Sequence, residues 1–202
     1  MNSDTANIII ETQYFPCLTA MKAMVNSSNL SIEQNEHYEK MSFRNRSIIT
    51  GSNGLIALSI PLTAGRNQRS KITEVRIDNS VKWQDQHWKS IVSCYGKAPF
   101  FDYFEMKFGR FFKDNYETLF DYNNAILKTL LSIFKSPTLL SYTDTYEKEV
   151  EGYKDLRNTY LPKNYNQVDK EITPYNQVFL SKLGFVPNLS IIDYLCCEGI
   201  RL

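Results

Sequence analysis

The spacing of hydrophobic residues divides the chain into a strand-rich first part and a helix-rich second part. Short β-branched runs at 7–11 and 29–33 enclose the segment 18–26, in which apolar residues recur three and four positions apart. That recurrence forms one face of a helix, whereas the short runs are typical of buried strands. The pattern predicts a strand, helix, strand unit, the smallest piece of an α/β sheet.

A hairpin is predicted after this unit. The runs SIIT (47–50) and LIALSIPL (55–62) flank the Gly-Ser-Asn-Gly of residues 51–54. Glycine and asparagine adopt the backbone conformations that a tight turn between strands requires. Residues 72–78 (ITEVRID) alternate imperfectly between apolar and polar positions and predict one further strand.

Helical spacing begins at Trp83 and makes the second half of the chain mostly helical. Three helices are predicted, at 82–94, about 100–113 and about 116–135. The remaining predictions are a short strand at 139–142, a long loop or weak helix at 145–174, a helix at 174–183, and a last short helix capped by Asn188 or Ser190.

The predicted fold class is α/β (or α+β). An N-terminal mixed β-sheet with a crossover helix and a hairpin is followed by a mostly helical C-terminal half. At 202 residues the chain is expected to form one three-layer-like domain over 1–202, strand-rich at 7–80 and helix-rich at 81–202.

Composition narrows the class of protein without indicating a reaction. Hydrophobic residues at 43% and charged residues at 22% are ordinary for a soluble globular protein. The four cysteines show no CxxC spacing, which favours reduced thiols and predicts no metal site. Residues 1–7 lack a signal-peptide pattern and no apolar run approaches a bilayer span, so we expect a cytoplasmic protein without membrane insertion. No cofactor or oligomeric state is indicated.

Charge matters locally, because the net charge of the chain is only +1. Between residues 43 and 77, six basic residues face one acid, Glu74. Guanidinium groups match phosphate and carboxylate oxygens, and this surplus predicts a small anionic ligand, phosphate-bearing or nucleotide-linked. The alternative is a solvated hairpin whose arginines pair with acids such as Glu33, Glu36 and Glu39.

A polar segment, EQNEHY at 33–38, directly follows the second strand and carries more recognition groups than a turn requires. His37 lies among its acids and is a candidate general base, with an ordinary surface histidine as the alternative. The other histidine, His87, shares a predicted helix face with Trp83, which indicates a half-buried packing residue.

The common catalytic motifs GxGxxG, GxxxxGK(S/T), GxSxG and HExxH do not occur in the chain. An aromatic segment at 95–122 could stack on single-stranded nucleic acid. Its helical spacing favours a buried stripe instead, made by Phe100, Tyr103, Phe104, Phe108, Phe111 and Phe112, and no nucleic-acid partner is expected.

Large, partly polar residues form the turn after the first strand, in IIIETQYFPCL (8–18). The isoleucines predict a buried strand, and Pro16 ends it before the next helix. Glu11, Gln13, Tyr14 and Phe15 are interpreted as one wall of a cleft opposite the arginines.

Several short motifs in order resemble the WbqC-like protein family. They are YFP (14–16), IEQxExYxK (32–40), RNR (44–46), LSIPL (58–62), KIxxVxI (71–77), WxxxHW (83–88) and YGKAPFF (95–101). The resemblance covers about residues 8–125, with a weaker match near the end of the chain. It implies a bacterial protein of surface-polysaccharide biosynthesis that transfers a small acyl or aminoacyl group.

The family motifs fall on Tyr14, Phe15, Pro16, Lys40, Asn45, Arg46, Lys71, Trp83 and His87. One departure stands out: many members have His-Gln-Pro where this chain has Ile10-Glu11-Thr12. If that histidine is catalytic in relatives, this chain uses another base, such as Glu11 or His37, or has altered or absent activity.

Two hypotheses follow. The first is a transferase of glycoconjugate biosynthesis that acts on an anionic, nucleotide-linked or acyl-activated substrate. The second is a non-catalytic binding or scaffold protein with a basic ligand-binding cleft. The candidate catalytic residues are Glu11, Glu36 and His37. The candidate substrate-binding residues are Gln13, Tyr14, Gln34, Tyr38, Lys40, Arg44, Asn45, Arg46, Arg66, Arg69, Lys71 and His87.

Overall fold

A computed structural model of the protein describes residues 6–65, 67–167 and 172–201. The strands are β1 (Ile8–Glu11), β2 (Asn29–Glu33), β3 (Arg46–Gly51), β4 (Gly54–Ser59), β5 (Leu139–Tyr142) and β6 (Lys154–Asp155). The α-helices are α1 (Leu18–Val25), α2 (Trp83–Tyr95), α3 (Phe101–Phe108), α4 (Leu119–Ile133), α5 (Leu180–Leu183) and α6 (Ile191–Glu198). Two 3₁₀ helices occupy Ile72–Glu74 and Gly109–Phe112.

Four parallel strands form the central sheet, in the order β5-β2-β1-β6. Ile8 pairs with Leu30, and Asn29 pairs with Leu139. Helix α1 connects β1 to β2, which is the crossover that parallel neighbours require. Every residue of β1 is buried, as its run of isoleucines predicts for a strand covered on both faces. The predicted strand, helix, strand unit is confirmed.

The predicted hairpin is also confirmed, and β3 and β4 form a separate antiparallel pair. Gly51 lies opposite Gly54 at its turn. Gly54 has a φ of 119°, a conformation that side chains rarely tolerate. The α/β class is confirmed, and parallel and antiparallel pairing occur in two separate sheets.

The strand predicted at 72–78 is wrong. Residues 72–74 form a 3₁₀ helix, and Ile77 makes only an isolated bridge, to Leu62. Ile72 and Val75 are both fully buried. Their spacing of three fits a 3₁₀ turn, whose period is three residues, and the backbone carbonyl of Val75 accepts from the amide of Leu119 at the start of α4.

Two differences occur in the last third of the chain. Strand β6 lies inside the segment predicted as a loop. The prediction missed it because a two-residue strand is too short to show a hydrophobic period. The helix predicted at 174–183 is reduced to α5. The other predicted helices are confirmed, with α2 and α4 within a few residues of their predicted bounds.

One continuous hydrophobic core joins the central sheet, the hairpin and the helices. Most of the predicted aromatic stripe lies in it, namely Phe104, Phe108, Phe111 and Phe112, whereas Phe100 and Tyr103 are exposed. The rings of Phe15 and Phe112 stack with centroids 6.1 Å apart, so the turn after β1 is joined to the aromatic stripe.

The start of α6 closes the fold against the start of α1. Ser190 caps α6 by accepting from the amide of Ile192, which confirms one of the two predicted caps. Asn188 instead accepts from the amide of Thr19 with its side-chain oxygen, at 2.8 Å. Within the described residues, no helix combines the length and the apolar character that crossing a bilayer requires.

A buried carboxylate in α6 ties four segments together. Asp193 is fully buried and accepts hydrogen bonds from the hydroxyls of Tyr95 (2.9 Å), Tyr175 (2.6 Å) and Thr50 (3.4 Å) and from the amide of Gln177 (3.1 Å). Burial raises the pKa of Asp193, and the four donors oppose that rise. The hairpin, α2, α6 and the segment before α5 therefore share one acceptor.

We expect Asp193→Asn to lower the free energy of unfolding by at least about 2 kcal/mol. The NH₂ group of the asparagine would face hydroxyl and amide donors that now bind a carboxylate oxygen, and some of these donors would be left unpaired. Urea unfolding followed by circular dichroism measures this loss. Asp102→Asn, at an exposed position in α3, should change stability by less than about 0.5 kcal/mol. Equal stabilities for the two variants would contradict the assignment.

Candidate functional site

The carboxyl ends of the parallel strands meet at one edge of the central sheet, the edge where open α/β sheets bind ligands. Glu11 ends β1 and Glu33 ends β2. Thr143 follows β5, and Arg157 and Asn158 follow β6. The topology therefore gathers polar side chains that are far apart in the sequence.

Glu33 is fully buried and has three partners. Its carboxylate accepts from the Thr143 hydroxyl at 2.7 Å, the backbone amide of Asn35 at 2.9 Å and the Arg157 guanidinium at 2.9 Å. Arg157 also pairs with Asp155, at 2.6 Å. Asp155 and Glu33 together raise the pKa of Arg157, so this guanidinium clamps the ends of β2 and β6.

Glu11 is likewise fully buried. One carboxylate oxygen accepts from the Gln13 side-chain amide at 2.7 Å, and the other accepts from the Asn158 backbone amide at 2.8 Å. Asn158 has a φ of 56°, and asparagine tolerates that left-handed conformation better than most residues. Asn158 thereby joins the ends of β1 and β6.

The third buried acid, Glu36, forms a bidentate ion pair with Arg44. Arg44 Nε donates to one oxygen of Glu36 at 2.7 Å and Nη2 donates to the other. Arg44 Nη1 donates to the side-chain oxygen of Asn158 at 3.0 Å. Burial raises the pKa of Glu36 while Arg44 opposes that rise, and the pKa remains above its ordinary value.

Arg44 therefore has no exposed atom to offer to a phosphate, because its side chain is 0% exposed and all three of its nitrogens donate within this network. Of the alternatives that the sequence leaves open for its arginines, pairing with an acid is the one that Arg44 adopts.

A pocket of about 290 Å³ opens beside this network. It is lined by Glu36, His37, Glu39, Tyr146 and Asn158. The side chains of His37 and Glu39 are exposed. Two predicted catalytic residues, Glu36 and His37, thus share one pocket, whereas Glu11 reaches it only through Asn158.

The loop that carries Arg69 and Lys71, called the basic loop, precedes the first 3₁₀ helix and runs alongside His37. Tyr38 donates its backbone amide to Ser70 at 2.9 Å, and Ile72 donates its amide to Glu36 at 2.9 Å. His37 and Lys71 are bridge partners. The backbone therefore holds the acid-base segment and the basic loop together.

The basic residues predicted to bind substrate differ in exposure. Lys40, Arg69 and Lys71 are exposed, and the Lys40 ammonium lies 3.4 Å from the Asn67 side-chain oxygen. Arg46 is half-buried with one nitrogen 3.7 Å from the Met41 sulfur. Arg66 lies outside the described residues.

Three further candidates lie away from the pocket surface. The Tyr38 hydroxyl donates to Asn45 at 3.0 Å, and Asn45 donates to the Ile60 carbonyl at 2.9 Å. Both residues are buried, so they fix the loop that carries His37. Gln34 lines a different pocket and donates to the Thr143 carbonyl at 2.8 Å.

The aromatic turn after β1 belongs to the core. Tyr14 is 0% exposed and Phe15 is 1% exposed. Phe15 has a φ of 41°, a strained conformation for a bulky residue. Its carbonyl accepts from the hydroxyls of Ser47 and Ser190, both at 3.1 Å, and these bonds hold the turn in place. Gln13 is buried beside Glu11, so none of the three forms an exposed cleft wall.

His87 is buried under this turn and shares a hydrogen bond with the Tyr14 hydroxyl, whose oxygen lies 3.0 Å from His87 Nδ1. Burial lowers the pKa of His87 to about 4, although a backbone hydrogen bond to Ser59 favours the charged form. The predicted packing role fits this placement, and His87 does not line the pocket that holds His37.

Sequence reasoning missed Thr143, Tyr146, Arg157 and Asn158. They lie at the end of β5 or in the segment without hydrophobic period, where only the pairing of β6 with β1 shows their position. A charged segment that contains Arg157 and Asn158 offers no local signal of a site.

The fold and this edge define an α/β protein with a polar pocket at the carboxyl ends of a parallel sheet. The model of the WbqC-like protein family matches residues 12–160. The chain therefore belongs to the WbqC-like protein family, and the match extends through the aromatic turn, His37 and Asn158. No curated protein and no solved structure matches the chain.

We expect Arg44→Met to lower the free energy of unfolding by about 3 to 5 kcal/mol, because it leaves the Glu36 carboxylate buried without its partner. Adding Glu36→Gln should recover part of that loss, since the unpaired charge is then removed. Urea unfolding of the single and double variants measures both effects. Arg69→Met, at an exposed position, is the control and should be nearly neutral; an Arg44→Met variant as stable as this control would refute the pairing.

Stability should fall in mild acid because of His87. Its pKa is about 4 in the folded protein and about 6.5 when unfolded, so the unfolded chain binds more protons between these values. The free energy of unfolding should therefore decrease as pH falls from about 6.5 to 4, by about 3 kcal/mol in total.

Urea unfolding across that pH range tests the expectation with the two histidines as a matched pair. His87→Gln should flatten the pH dependence even though it lowers stability overall. His37→Gln, at an exposed position, is the matched control with which the slope of His87→Gln is compared. A slope that survives His87→Gln would show that other groups cause it.

Proposed function

We propose that the protein is a transferase of surface-polysaccharide or glycoconjugate biosynthesis, which moves a small acyl or aminoacyl group onto an acceptor in the pocket at the sheet edge. The observation that carries the proposal is the convergence of Glu36, His37 and Glu39 on one pocket beside an exposed basic loop.

His37 is the general base in this proposal. An imidazole changes charge near neutral pH and can accept a proton from an acceptor hydroxyl or amine. The acceptor oxygen or nitrogen then bonds to the donor's carbonyl carbon, and the bond from that carbon to the leaving group breaks. The leaving group departs with the bonding electron pair, and His37 retains the acceptor's proton until release.

Glu36 acts in this scheme through position rather than as a base, since its two oxygens are held by Arg44. Its backbone carbonyl also accepts from Ile72. Glu39 is exposed on the same pocket and can orient an acceptor amine or hydroxyl. The buried ion pair therefore fixes the strand end next to the base.

The anionic part of the substrate is placed on the basic rim. Arg69 and Lys71 are exposed on the loop that pairs with the His37 segment, and the exposed Lys40 contacts Asn67 of the same loop. Phosphate or carboxylate oxygens bound there would leave the reactive end in the pocket. Such exposed contacts weaken with added salt.

The departure from the family pattern also favours His37. The resemblance places the family's histidine at Ile10, which is buried in β1 and carries no group that can accept a proton. A general base in this chain is therefore another residue, and His37 is the histidine on the pocket.

The proposal predicts acyl or aminoacyl transfer by the purified protein, detected by mass spectrometry with a panel of activated acyl donors and nucleotide-linked sugars. His37→Gln should lower kcat about 10²- to 10⁴-fold with little change in KM. Lys71→Ala should mainly raise KM, because it removes a binding charge without touching the proton transfer.

Arg76→Gln is the matched control, since its exposed side chain pairs with Glu117 away from the pocket. Ligand binding without turnover, unaffected by His37→Gln, would instead support a non-catalytic binding protein. Wild-type kcat in His37→Gln would remove the assigned base.

A further inference from the structure

A second depression, which the proposed chemistry does not use, lies along helix α4. It has two adjoining parts, a groove of about 530 Å³ and a pocket of about 300 Å³. The groove is lined by Met106, Lys107, Arg110, Ala125, Lys128, Thr129, Ser132 and Ile133. The pocket is lined by Gln34, Phe120, Asp121, Asn124, Ala125, Lys128 and Tyr142. Ala125 and Lys128 belong to both, so the two parts form one α4 groove.

The first part carries three positive charges, from Lys107, Arg110 and Lys128, and no carboxylate of the described residues lines it. In the described parts of the chain, none of the three cations belongs to a salt bridge. The first part therefore has a local surplus of positive charge in a protein of net charge +1, and such a surplus attracts anions.

Arg110 is oriented before any ligand arrives. Its guanidinium donates to the Thr129 hydroxyl at 2.7 Å and lies over the Phe111 ring, 4.8 Å from the centroid. Two independent contacts reduce the rotamer freedom that binding would otherwise remove. Lys128 lies 6.0 Å from the centroid of the Tyr142 ring, at the junction of the two parts.

The second part has a different chemistry. The Phe120 and Tyr142 rings meet there with centroids 5.9 Å apart, beside the side chains of Gln34, Asp121 and Asn124. An aromatic face beside amide and carboxylate groups suits a ring that carries hydroxyls, because the face covers its C–H surface and the polar groups bond its hydroxyls.

Asn124 supports this assignment. The residue is 6% exposed, and its side-chain oxygen has no hydrogen-bond partner within the part of the chain that the structure describes. An unpaired buried acceptor calls for an explanation. Because this oxygen has almost no accessible surface, a hydroxyl on a bound ring would satisfy it only after the Asn124 side chain turns toward the pocket that it lines.

We propose that the α4 groove binds a phosphorylated sugar. The phosphate lies among Lys107, Arg110 and Lys128, and the hydroxyl-bearing ring lies against Tyr142 near Asn124. Lys128 lines both parts, so the phosphate and the ring are adjacent, as they are in a sugar phosphate or a nucleotide.

The α4 groove reaches the sheet edge through Gln34, which follows directly after β2. Only two residue steps separate Gln34 from Glu36 in the other pocket, a span of about 7 Å at most. A ligand of the α4 groove is therefore well placed to be the second substrate of the transfer. That role rests on the proposed function, whereas the binding itself does not.

Isothermal titration calorimetry with glucose 1-phosphate, uridine diphosphate and inorganic pyrophosphate tests the binding. We expect Arg110→Ala and Lys128→Ala each to weaken binding of the first two by about tenfold, as loss of one charge-assisted contact does. Tyr142→Leu should weaken glucose 1-phosphate and uridine diphosphate but not pyrophosphate. Lys113→Ala, exposed and outside the groove, is the charge-matched control and should bind as the wild type does.

A second experiment identifies the source of the phosphorylated ring. Flotation with phosphatidylcholine vesicles containing phosphatidylinositol, with or without competing uridine diphosphate, distinguishes a lipid headgroup from a free metabolite. Binding to either, lost in Arg110→Ala with Lys128→Ala, supports the site. Equal flotation with phosphatidylglycerol, which carries no sugar ring, would overturn it in favour of a general membrane-binding face.

Other outcomes also decide the matter. No binding of any phosphate compound, or equal binding by the wild type and the Arg110→Ala, Lys128→Ala double variant, overturns the site. Pyrophosphate binding as tight as that of glucose 1-phosphate, together with an unaffected Tyr142→Leu, overturns its sugar half. Intact groove binding in His37→Gln with no transfer activity in the wild type would reject the proposed function and leave this site standing.

Discussion

Three buried carboxylates at one edge of a parallel sheet set the main constraint on this structure. Glu11, Glu33 and Glu36 are at most 6% exposed, and buried charges are costly unless they are paired and hydrogen-bonded. Two guanidiniums meet this requirement, because Arg44 forks onto Glu36 and Arg157 binds Glu33. Asn158 then connects Glu11 to Arg44. The loops after β1, β2 and β6 are thereby held in one arrangement. The same contacts fix the pocket, because Glu36 and Asn158 line it.

This constraint separates structural from reactive groups that look alike in the sequence. Arg44 and Lys71 both belong to the basic cluster. Arg44 is buried with its donors paired in the network, whereas Lys71 is exposed beside His37. The two histidines divide in the same way, since His87 lies under the aromatic turn and His37 opens onto the pocket. The large residues of that turn fill the core, where the Phe15 ring contacts Phe108 and Phe112 of the aromatic stripe.

The α/β class, the crossover helix, the hairpin and the family were all predictable, because each leaves a local pattern of apolar spacing, turn residues or short motifs. The strand predicted at 72–78 failed because an apolar spacing of three and two serves a 3₁₀ turn as well as an irregular strand. Strand β6 could not be predicted at all, since two residues carry no period. Of the site, only the adjacent pair Glu36 and His37 was predictable, because the density of polar groups around them is visible without tertiary structure.

The sequence by itself determined which segments become strands and helices and that a polar segment with a histidine follows the second strand. Local free-energy preferences act over a few residues, and a sequence displays them directly. Only the tertiary structure decided which charges meet, because parallel pairing of β1 with β6 brings Asn158 to Glu11 across 147 residues. Burial then decides which of the arginines and histidines stay exposed to a ligand, since a charge removed from water must take a partner.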